Sequence, residues 1–593
     1  MDFSDLLDRL ELSNFITIQL TTSGIKPQTN SIHKIVAIHF KNAKKHREWI
    51  GLVKDNTTNI KHDNSKPIDE IFIELKEFLK SHPIVMHNST FCLDFIKHHA
   101  NSNNQSFEFG SDYDTLSLSK LLLYKSENFS LDESCEYYKI NDNDDRIAFL
   151  FIELIKDLAS LPLDVINDVI NILKLRNNNN NKLFFDLKQT LLSFKKINGI
   201  YKNRIFNKMN SLEYRLKGNS TINSLKPYDN ILSSEGLLDK QWNEFEEREP
   251  QINFFNDILL SLYENSFLLA EAGTGLGKTI AYLLASIVYS IEYNKTIIIS
   301  TYTKYLQDQI FYKDLPSLAK ILDVDVKAVL LKGRSNYICK TRLFSLMQNF
   351  NILLDDKESE ALMQIVIWNY FTSSGDISEC NSFNIKQNNK LWNLIKSNSA
   401  YCSARKCHKW GGCYHTSMMD YFGKVNIIIV NHSLLLSNMN TNNLERPDEF
   451  KYILDEGHNL VNVTHDILTK QINESSLENT FHFFDNTNSM TTNQLHKIIN
   501  KNKEIDPIFL DVQRESYQTA NLFSNFFSDY LESKKTNEIN NKHIINNSSQ
   551  EFDGIDIDLI IESLKSFYSK IKFLLEKIED YDKNSNFLNE LMI

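Results

Sequence analysis

The sequence has no apolar run long enough to cross a bilayer. Its longest, residues 426–436, is interrupted by Asn431 and His432 and falls short of the roughly 18 residues a span needs. The N-terminus, Met1-Asp2-Phe3-Ser4-Asp5, is acidic and lacks the apolar core of a signal peptide, so no membrane contact and a cytoplasmic location are expected. Positive charge is also short: 65 Lys and Arg against 76 Asp and Glu leave a net charge of -11. A field of that sign repels nucleic acid, and any DNA contact has to come from a local cationic groove. Cysteine is scarce, and the odd count of 7 suits a reduced compartment and a metal site better than a disulfide framework. What is present suffices for several cores, since 593 residues with 42% apolar and 11% aromatic side chains describe a soluble multidomain protein.

Four regions follow along the chain. Residues 1–158 read as an α/β unit: Phe15-Ile16-Thr17-Ile18-Gln19-Leu20 alternates with period two, 35–40 is a second strand candidate, and 71–79 has helical spacing. Residues 159–238 read as a polar, helical connector whose asparagine run at 177–181 packs no core. In it Lys195, Lys196, Lys202, Arg204 and Lys208 interleave with Phe194, Tyr201 and Phe206, a pattern that reads as a solvated helix face in preference to a DNA-facing one. Residues 239–460 hold strand candidates at 266–270, 296–300, 425–430 and 452–454 separated by helical stretches, the alternation of a RecA-like parallel sheet. Residues 461–593 carry amphipathic patterns such as 559–578 and read as mostly helical.

Two of these strand candidates end in nucleotide chemistry. Phe267-Leu268-Leu269-Ala270 runs into Ala272-Gly273-Thr274-Gly275-Leu276-Gly277-Lys278-Thr279, and Tyr452-Ile453-Leu454 runs into Asp455-Glu456-Gly457-His458. A strand that ends in a glycine-rich turn and opens a helix aims several backbone N–H groups and the helix dipole at one point, where phosphates bind. Gly273, Thr274, Gly275 and Gly277 would form that cradle for ATP, Lys278 would reach the outer phosphates, and the Thr279 hydroxyl would ligate Mg2+. Asp455 supplies a carboxylate for the magnesium shell and Glu456 one to orient and deprotonate the attacking water. Between the motifs lie Cys339, Cys402, Cys407 and Cys413. Four thiolates suit zinc or an iron–sulfur cluster, and spacing wider than Cys-x-x-Cys leans toward the cluster. Cys380 has no motif around it and reads as structural.

At these residues the chain resembles the iron–sulfur helicases of superfamily 2, specifically the DinG/XPD family. Phe245-Glu246-Glu247-Arg248-Glu249-Pro250-Gln251 is similar to the segment where that family's arginine and glutamine read adenine, here Arg248 and Gln251. Ser300-Thr301-Tyr302-Thr303-Lys304-Tyr305-Leu306-Gln307-Asp308-Gln309 resembles the motif that touches single-stranded DNA, and Val430-Asn431-His432-Ser433-Leu434-Leu435 the signature before the acidic box. The alanine at position 272 is usual in such helicases. Lys332 to Cys339 resembles the segment with the family's first cluster ligand, which implies a 4Fe-4S cluster on Cys339, Cys402, Cys407 and Cys413 in an insertion at about 335–415. The resemblance implies translocation on single-stranded or forked DNA, 5' to 3', in repair or replication, with an arch-like helical region after the acidic box.

Residues 13–155 resemble the DEDD exonucleases of the proofreading type, which implies an RNase H-like fold. Gln19-Leu20-Thr21-Thr22-Ser23-Gly24, His87-Asn88-Ser89-Thr90-Phe91-Cys92 and Asp145-Arg146-Ile147-Ala148 align with the three signatures. The four carboxylate positions are then Gln19, Thr21, Cys92 and Leu150, with Asp145 where the general base would stand. An amide, a hydroxyl, a thiol and an alkyl group cannot neutralise two divalent cations, so no exonuclease activity is expected. Asp94 and Asp114 fall on no ligand position.

After His458 the sequence reads as the family's helical insertion, with no Ser-Ala-Thr segment and no Gln-x-x-Gly-Arg-x-x-Arg pattern. Helicases of this superfamily hold ATP between two lobes, and the second supplies the arginines that stabilise the transferring phosphate. The expectation is a chain truncated before that lobe, which binds ATP, hydrolyses it very slowly and does not unwind DNA unless a separate chain completes it. The alternatives are a remnant that binds ATP and DNA without unwinding, and a zinc-containing ATPase.

Overall fold

The computed structural model describes residues 3–54, 65–141 without 104 and 108, 145–174, 180–194, 214–398 without 243, 244 and 349, 412–419, 424–440, 450–469, 477, 480, 481, 495, 496, 499, 500, 502–533 and 557–581. The chain is mixed α/β and divides into two compact units. One is drawn from Met1–Met209 with Tyr337–Lys396, the other from Asn210–Asn336 with Gly412–Ile593.

The first unit is built on a five-stranded sheet. β1 (Asn14–Thr22), β2 (Ile32–Lys41) and β3 (Lys44–Leu52) form an antiparallel meander, and β4 (Ile84–Met86) and β5 (Asp112–Asp114) add in parallel, giving the order β3-β2-β1-β4-β5. Asn42 and Ala43, both at positive φ (48° and 60°), make the two-residue turn between β2 and β3, the backbone that matches the strand twist. The alternation read at 15–20 becomes β1, whose Ile16 and Ile18 pack on Ile71, Phe72 and Leu75 of the helix Ile68–Leu79.

The stretch expected as a connector, 159–238, holds two buried helices. The helices Leu163–Leu173 and Asn181–Phe194 belong to the first unit, because Val165, Ile166, Val169, Leu183, Phe184 and Leu187 are all buried. Asn180, in the asparagine run, is 1% exposed: its side chain accepts from the Asp114 amide at 3.0 Å and donates to the Asp114 carbonyl at 3.3 Å. The run is therefore partly a buried brace. The basic residues Lys195, Lys196, Lys202, Arg204 and Lys208 lie outside the described residues.

The second unit carries β6 (Tyr214–Leu216), β7 (Ile297–Thr301), β8 (Val326–Leu330), β9 (Ile427–Asn431) and β10 (Lys451–Leu454) in the order β10-β7-β9-β8-β6. β7 to β10 are mutually parallel, with β6 antiparallel on the far edge. The interior strands β7 and β9 carry the runs Ile297-Ile298-Ile299 and Ile427-Ile428-Ile429-Val430, as sheets covered on both faces require, while Lys327 interrupts β8. The helix Lys278–Tyr293 is buried continuously from Ala281 to Ser290. One expected strand is absent: residues 266–270 join no sheet, and Phe267 and Leu269 are fully exposed at 107% and 101%. Apolarity marked the segment as a strand, but a strand needs a hydrogen-bonded partner strand, and 266–270 pairs with none among the described residues. Toward the C-terminus the long helices Asp506–Ser533 and Ile557–Tyr581 share a separate core of Phe509, Val512, Phe567, Leu574 and Ile578.

Candidate nucleotide site

The site lies at the C-terminal ends of β7 and β10, where the turn before the helix Lys278–Tyr293 meets the loop after β10. Gly275 and Gly277 have φ of +84° and +82°, a left-handed geometry that lets successive amides turn inward. A side-chain carbon at Gly273 or Gly275 would meet nothing within 4 Å, so the turn is open above its amides. One at Gly277 would lie 2.2 Å from Gln251 Nε2. The Gln251 amide donates to the Gly277 carbonyl at 3.0 Å, and the Arg248 guanidinium donates to the Gly275 carbonyl. Arg248 and Gln251 thus brace the turn.

Lys278 opens the helix, and its ammonium lies 3.7 Å from Glu456 Oε1; both are partly exposed. Glu456 follows β10 at φ 56°, an unusual backbone for a non-glycine residue and a cost of about 1–2 kcal/mol. Asp455 next to it is fixed from two sides. Its amide donates to the Ser300 carbonyl at 2.9 Å, and its Oδ2 accepts from the Tyr282 hydroxyl at 3.1 Å. Burial pushes the Asp455 carboxyl above its ordinary range, opposed by the Tyr282 hydrogen bond, raised further by Glu456 and lowered by Lys278. A divalent cation would reverse that shift, so the donor set of Asp455 and Thr279 fits Mg2+. Behind Asp455, fully buried Ser300 and His432 share a hydrogen bond of 2.7 Å, and burial holds the imidazole below its ordinary pKa.

Tyr282 is a residue that motif reading did not single out, and the 300–309 segment has partners that its motif did not show. Tyr282 lies one turn along the helix from Lys278, where only its spacing could have pointed inward. In the other segment, Lys332 is 3% exposed and paired with Asp308 at 2.8 Å, while Lys304 donates to Asn336 at 2.7 Å. These links tie the stretch expected to touch DNA to the residues leading into Cys339. The helix there contains a π turn, Ile310–Asp314, just before Pro316, whose missing N–H removes a regular helix bond.

A DEAD_2 domain matches residues 300–477. The chain is 24% identical to the 3'-5' exonuclease DinG of Bacillus subtilis (strain 168) over 77% of its length and 51% of that protein. It is 32% identical to the ATP-dependent DNA helicase YoaA of Haemophilus influenzae over 40% of this chain and 36% of that protein. The chain is related to the DinG-type superfamily 2 helicases. It spans about half the length, or less, of these curated relatives. Among solved structures, the zinc-bound E. coli ExoI-ssDNA complex aligns over 60% of this chain at 11% identity, with a TM-score of 0.23 that carries no argument.

Of the four expected cluster cysteines, two fall among the described residues. Cys402 and Cys407 lie outside the described residues. Cys339 is buried at the start of the helix Lys340–Met347, its amide bonded to the Ile395 carbonyl at 2.8 Å, and Cys413 is half-buried before the helix Tyr414–Met419. Among the described residues no group of three or more His, Cys, Asp or Glu could hold a metal ion. Cys380 is buried with its thiol pushed up to about 11.

In the first unit, the register Ile18↔Met86 and Met86↔Asp114 sets Gln19, His87 and Asp114 at one end of neighbouring strands. Cys92 is buried, its thiol pushed up to about 12 by desolvation and then by Asp114, and Leu150 is fully buried. Asp145 pairs with Lys45 at 3.3 Å, and the Asp114 carboxylate accepts the amides of Asn88 (2.8 Å) and Leu116 (3.1 Å). Asp94 is exposed on the helix Ser89–Ser102.

Proposed function

We propose that this chain is the ATP-binding part of a DinG-type DNA helicase, with the second unit as a RecA-like lobe. The observation that carries the reading is the meeting of Lys278 with Glu456 (3.7 Å) and of Tyr282 with Asp455 (3.1 Å), two sequence-distant motifs joined at one sheet end. Lys278 leaves Glu456 for the outer phosphates, the amides of 273–277 hold the phosphate oxygens, and Thr279 with Asp455 holds Mg2+, which neutralises charge on the phosphates when bound. Glu456, released from Lys278, orients water and accepts its proton. The 300–309 segment contacts single-stranded DNA. The four cysteines carry a 4Fe-4S cluster.

The first unit serves as an exonuclease-like scaffold without cleavage. Its carboxylate positions hold Gln19, Thr21, Cys92 and Leu150, and its remaining acids near the sheet end are engaged with backbone amides or Lys45. The test is phosphate release with and without single-stranded DNA. DNA-stimulated release that disappears in Glu456→Gln is expected; release indifferent to both DNA and that substitution would refute the assignment.

A further inference from the structure

His432 is fully buried behind the acid pair, and the nucleotide chemistry above gives it no task. It opens the helix His432–Asn440 directly after β9. Ser300 stands between it and the acid pair, because β7 lies between β9 and β10, with Ser300 opposite Val430 on one side and Leu454 on the other. The Ser300 carbonyl accepts the Asp455 amide at 2.9 Å, and its hydroxyl meets His432 Nδ1 at 2.7 Å.

The neighbours of the ring fix where its proton lies. Burial keeps the imidazole neutral, so it has a single N–H. Nε2 is buried and makes no hydrogen bond, yet the backbones of Asp455 and Glu456 lie close enough to the ring to favour its protonated form. A backbone group with that effect is a carbonyl, an acceptor facing an N–H. The proton therefore sits on Nε2, and Nδ1 accepts from the Ser300 hydroxyl. The Glu456 carbonyl already accepts the Asn459 amide at 3.0 Å and has a second lone pair for the imidazole. Glu456 depends on such a hold, because at φ 56° it has a backbone that L-residues avoid, and the aim of its carboxylate follows what anchors the turn.

In the other direction Ser300 leads into the stretch proposed to contact DNA. The Thr301 hydroxyl donates to the Thr303 carbonyl at 3.2 Å, and the Thr303 hydroxyl caps the helix Lys304–Gln309 by accepting the Leu306 amide at 3.2 Å. Tyr302 and Tyr305 beside that cap are exposed at 48% and 77%.

We propose that His432 is a positioning residue for Glu456, anchored by the Ser300 hydroxyl at Nδ1 and holding the backbone carbonyls of 455 and 456 with Nε2–H. DNA drawn onto Tyr302 and Tyr305 shifts the end of β7, the imidazole follows its Ser300 anchor, and the Glu456 turn tightens against the Nε2 donor. The inference rests on the proposed nucleotide site and adds the link by which DNA speeds hydrolysis there.

Phosphate release by the full chain, with and without single-stranded DNA, tests it in His432→Asn, His432→Gln and Glu456→Gln. Asparagine keeps an acceptor near Nδ1 for Ser300 but falls short of the acid pair, whereas glutamine carries an N–H donor to the Nε2 position. His432→Asn should lower the DNA-stimulated rate about ten-fold or more with the KM for ATP within about two-fold, and His432→Gln should restore most of the rate. The wild-type chain gives a reading that needs no substitution: single-stranded DNA should slow hydrogen exchange at 455–458 as well as at 300–309. His432→Asn as fast as wild type, with Glu456→Gln inactive, overturns the positioning role alone. Equal losses in both His432 variants with raised KM and lowered melting temperature also overturn it, as does exchange at 455–458 that is indifferent to DNA. Hydrolysis by Glu456→Gln at the wild-type rate removes the nucleotide reading, and this inference with it.

Discussion

Three alanine substitutions in the phosphate turn separate its geometry residue by residue. At Gly273 a side-chain carbon meets nothing within 4 Å and no left-handed φ is required, so Gly273→Ala should leave stability within about 0.5 kcal/mol. Gly275→Ala also meets nothing, but its φ of +84° places an L-residue in the left-handed region at about 1–2 kcal/mol. Gly277→Ala pays that backbone cost at φ +82° and in addition sets its Cβ 2.2 Å from Gln251 Nε2. Gln251 has to swing away and give up its 3.0 Å bond to the Gly277 carbonyl, a further ~1 kcal/mol, for about 2–3 kcal/mol in all. Urea unfolding of the second unit with unchanged m-value reads the series. Losses ordered Gly273 < Gly275 < Gly277 are expected. Equal losses at all three, or the largest at Gly273, would refute the turn geometry.

Removing the Tyr282 hydroxyl by Tyr282→Phe takes a hydrogen bond from a half-buried carboxylate, worth about 1.5–3 kcal/mol, and should weaken Mg2+-dependent ATP binding by roughly ten-fold or more, with the pH midpoint of binding moved upward; an unchanged midpoint in a pH titration contradicts it. Asp455 has its folded-state pKa raised above 3.8, so the folded chain holds that proton more tightly than the unfolded one and stability falls as pH rises through the folded value; Asp455→Asn should therefore stabilise the chain at neutral pH while abolishing Mg2+ binding, as melting curves and Mg2+ titration would show. Anaerobically purified protein should be brown and lose its broad visible absorption in Cys407→Ser; colourless protein with stoichiometric zinc rejects the cluster. Residues 1–209 with their partner segment intact, in the full chain carrying Lys278→Ala, should leave labelled single-stranded DNA uncut with Mg2+ or Mn2+, and release of mononucleotides would reject the scaffold role.

The sequence showed the chemistry of the candidate site more clearly than its support. The glycine turn into Lys278 and the Asp455-Glu456 pair are local patterns, and the structure brings Lys278 to 3.7 Å from Glu456. β7 and β9 were legible as runs of isoleucine and valine and β10 as the apolar Tyr452-Ile453-Leu454, whereas Lys327 interrupts β8 and hid it. Residues 266–270 show the limit of that logic, because their composition is that of a strand while the pairing that makes one is a property of distant neighbours. The helices Leu163–Leu173 and Asn181–Phe194 were read as helical but not as core for the opposite reason: their asparagines and charges raise the average polarity, while Val165, Val169, Phe184 and Leu187 are still buried. Tyr282 carries no motif, and Lys332 and Asp308 fall in two separate motif-like segments whose pairing only the fold shows.

The most direct test of the account is equilibrium binding of a fluorescent ATP analogue with Mg2+ to the wild-type chain and to Lys278→Ala. Binding in the wild type that weakens at least ten-fold in Lys278→Ala, with both proteins melting at the same temperature, is the predicted result. Equal affinity in the two proteins would show that nucleotide, if bound, is held elsewhere, and would contradict the assignment of the site at β7 and β10.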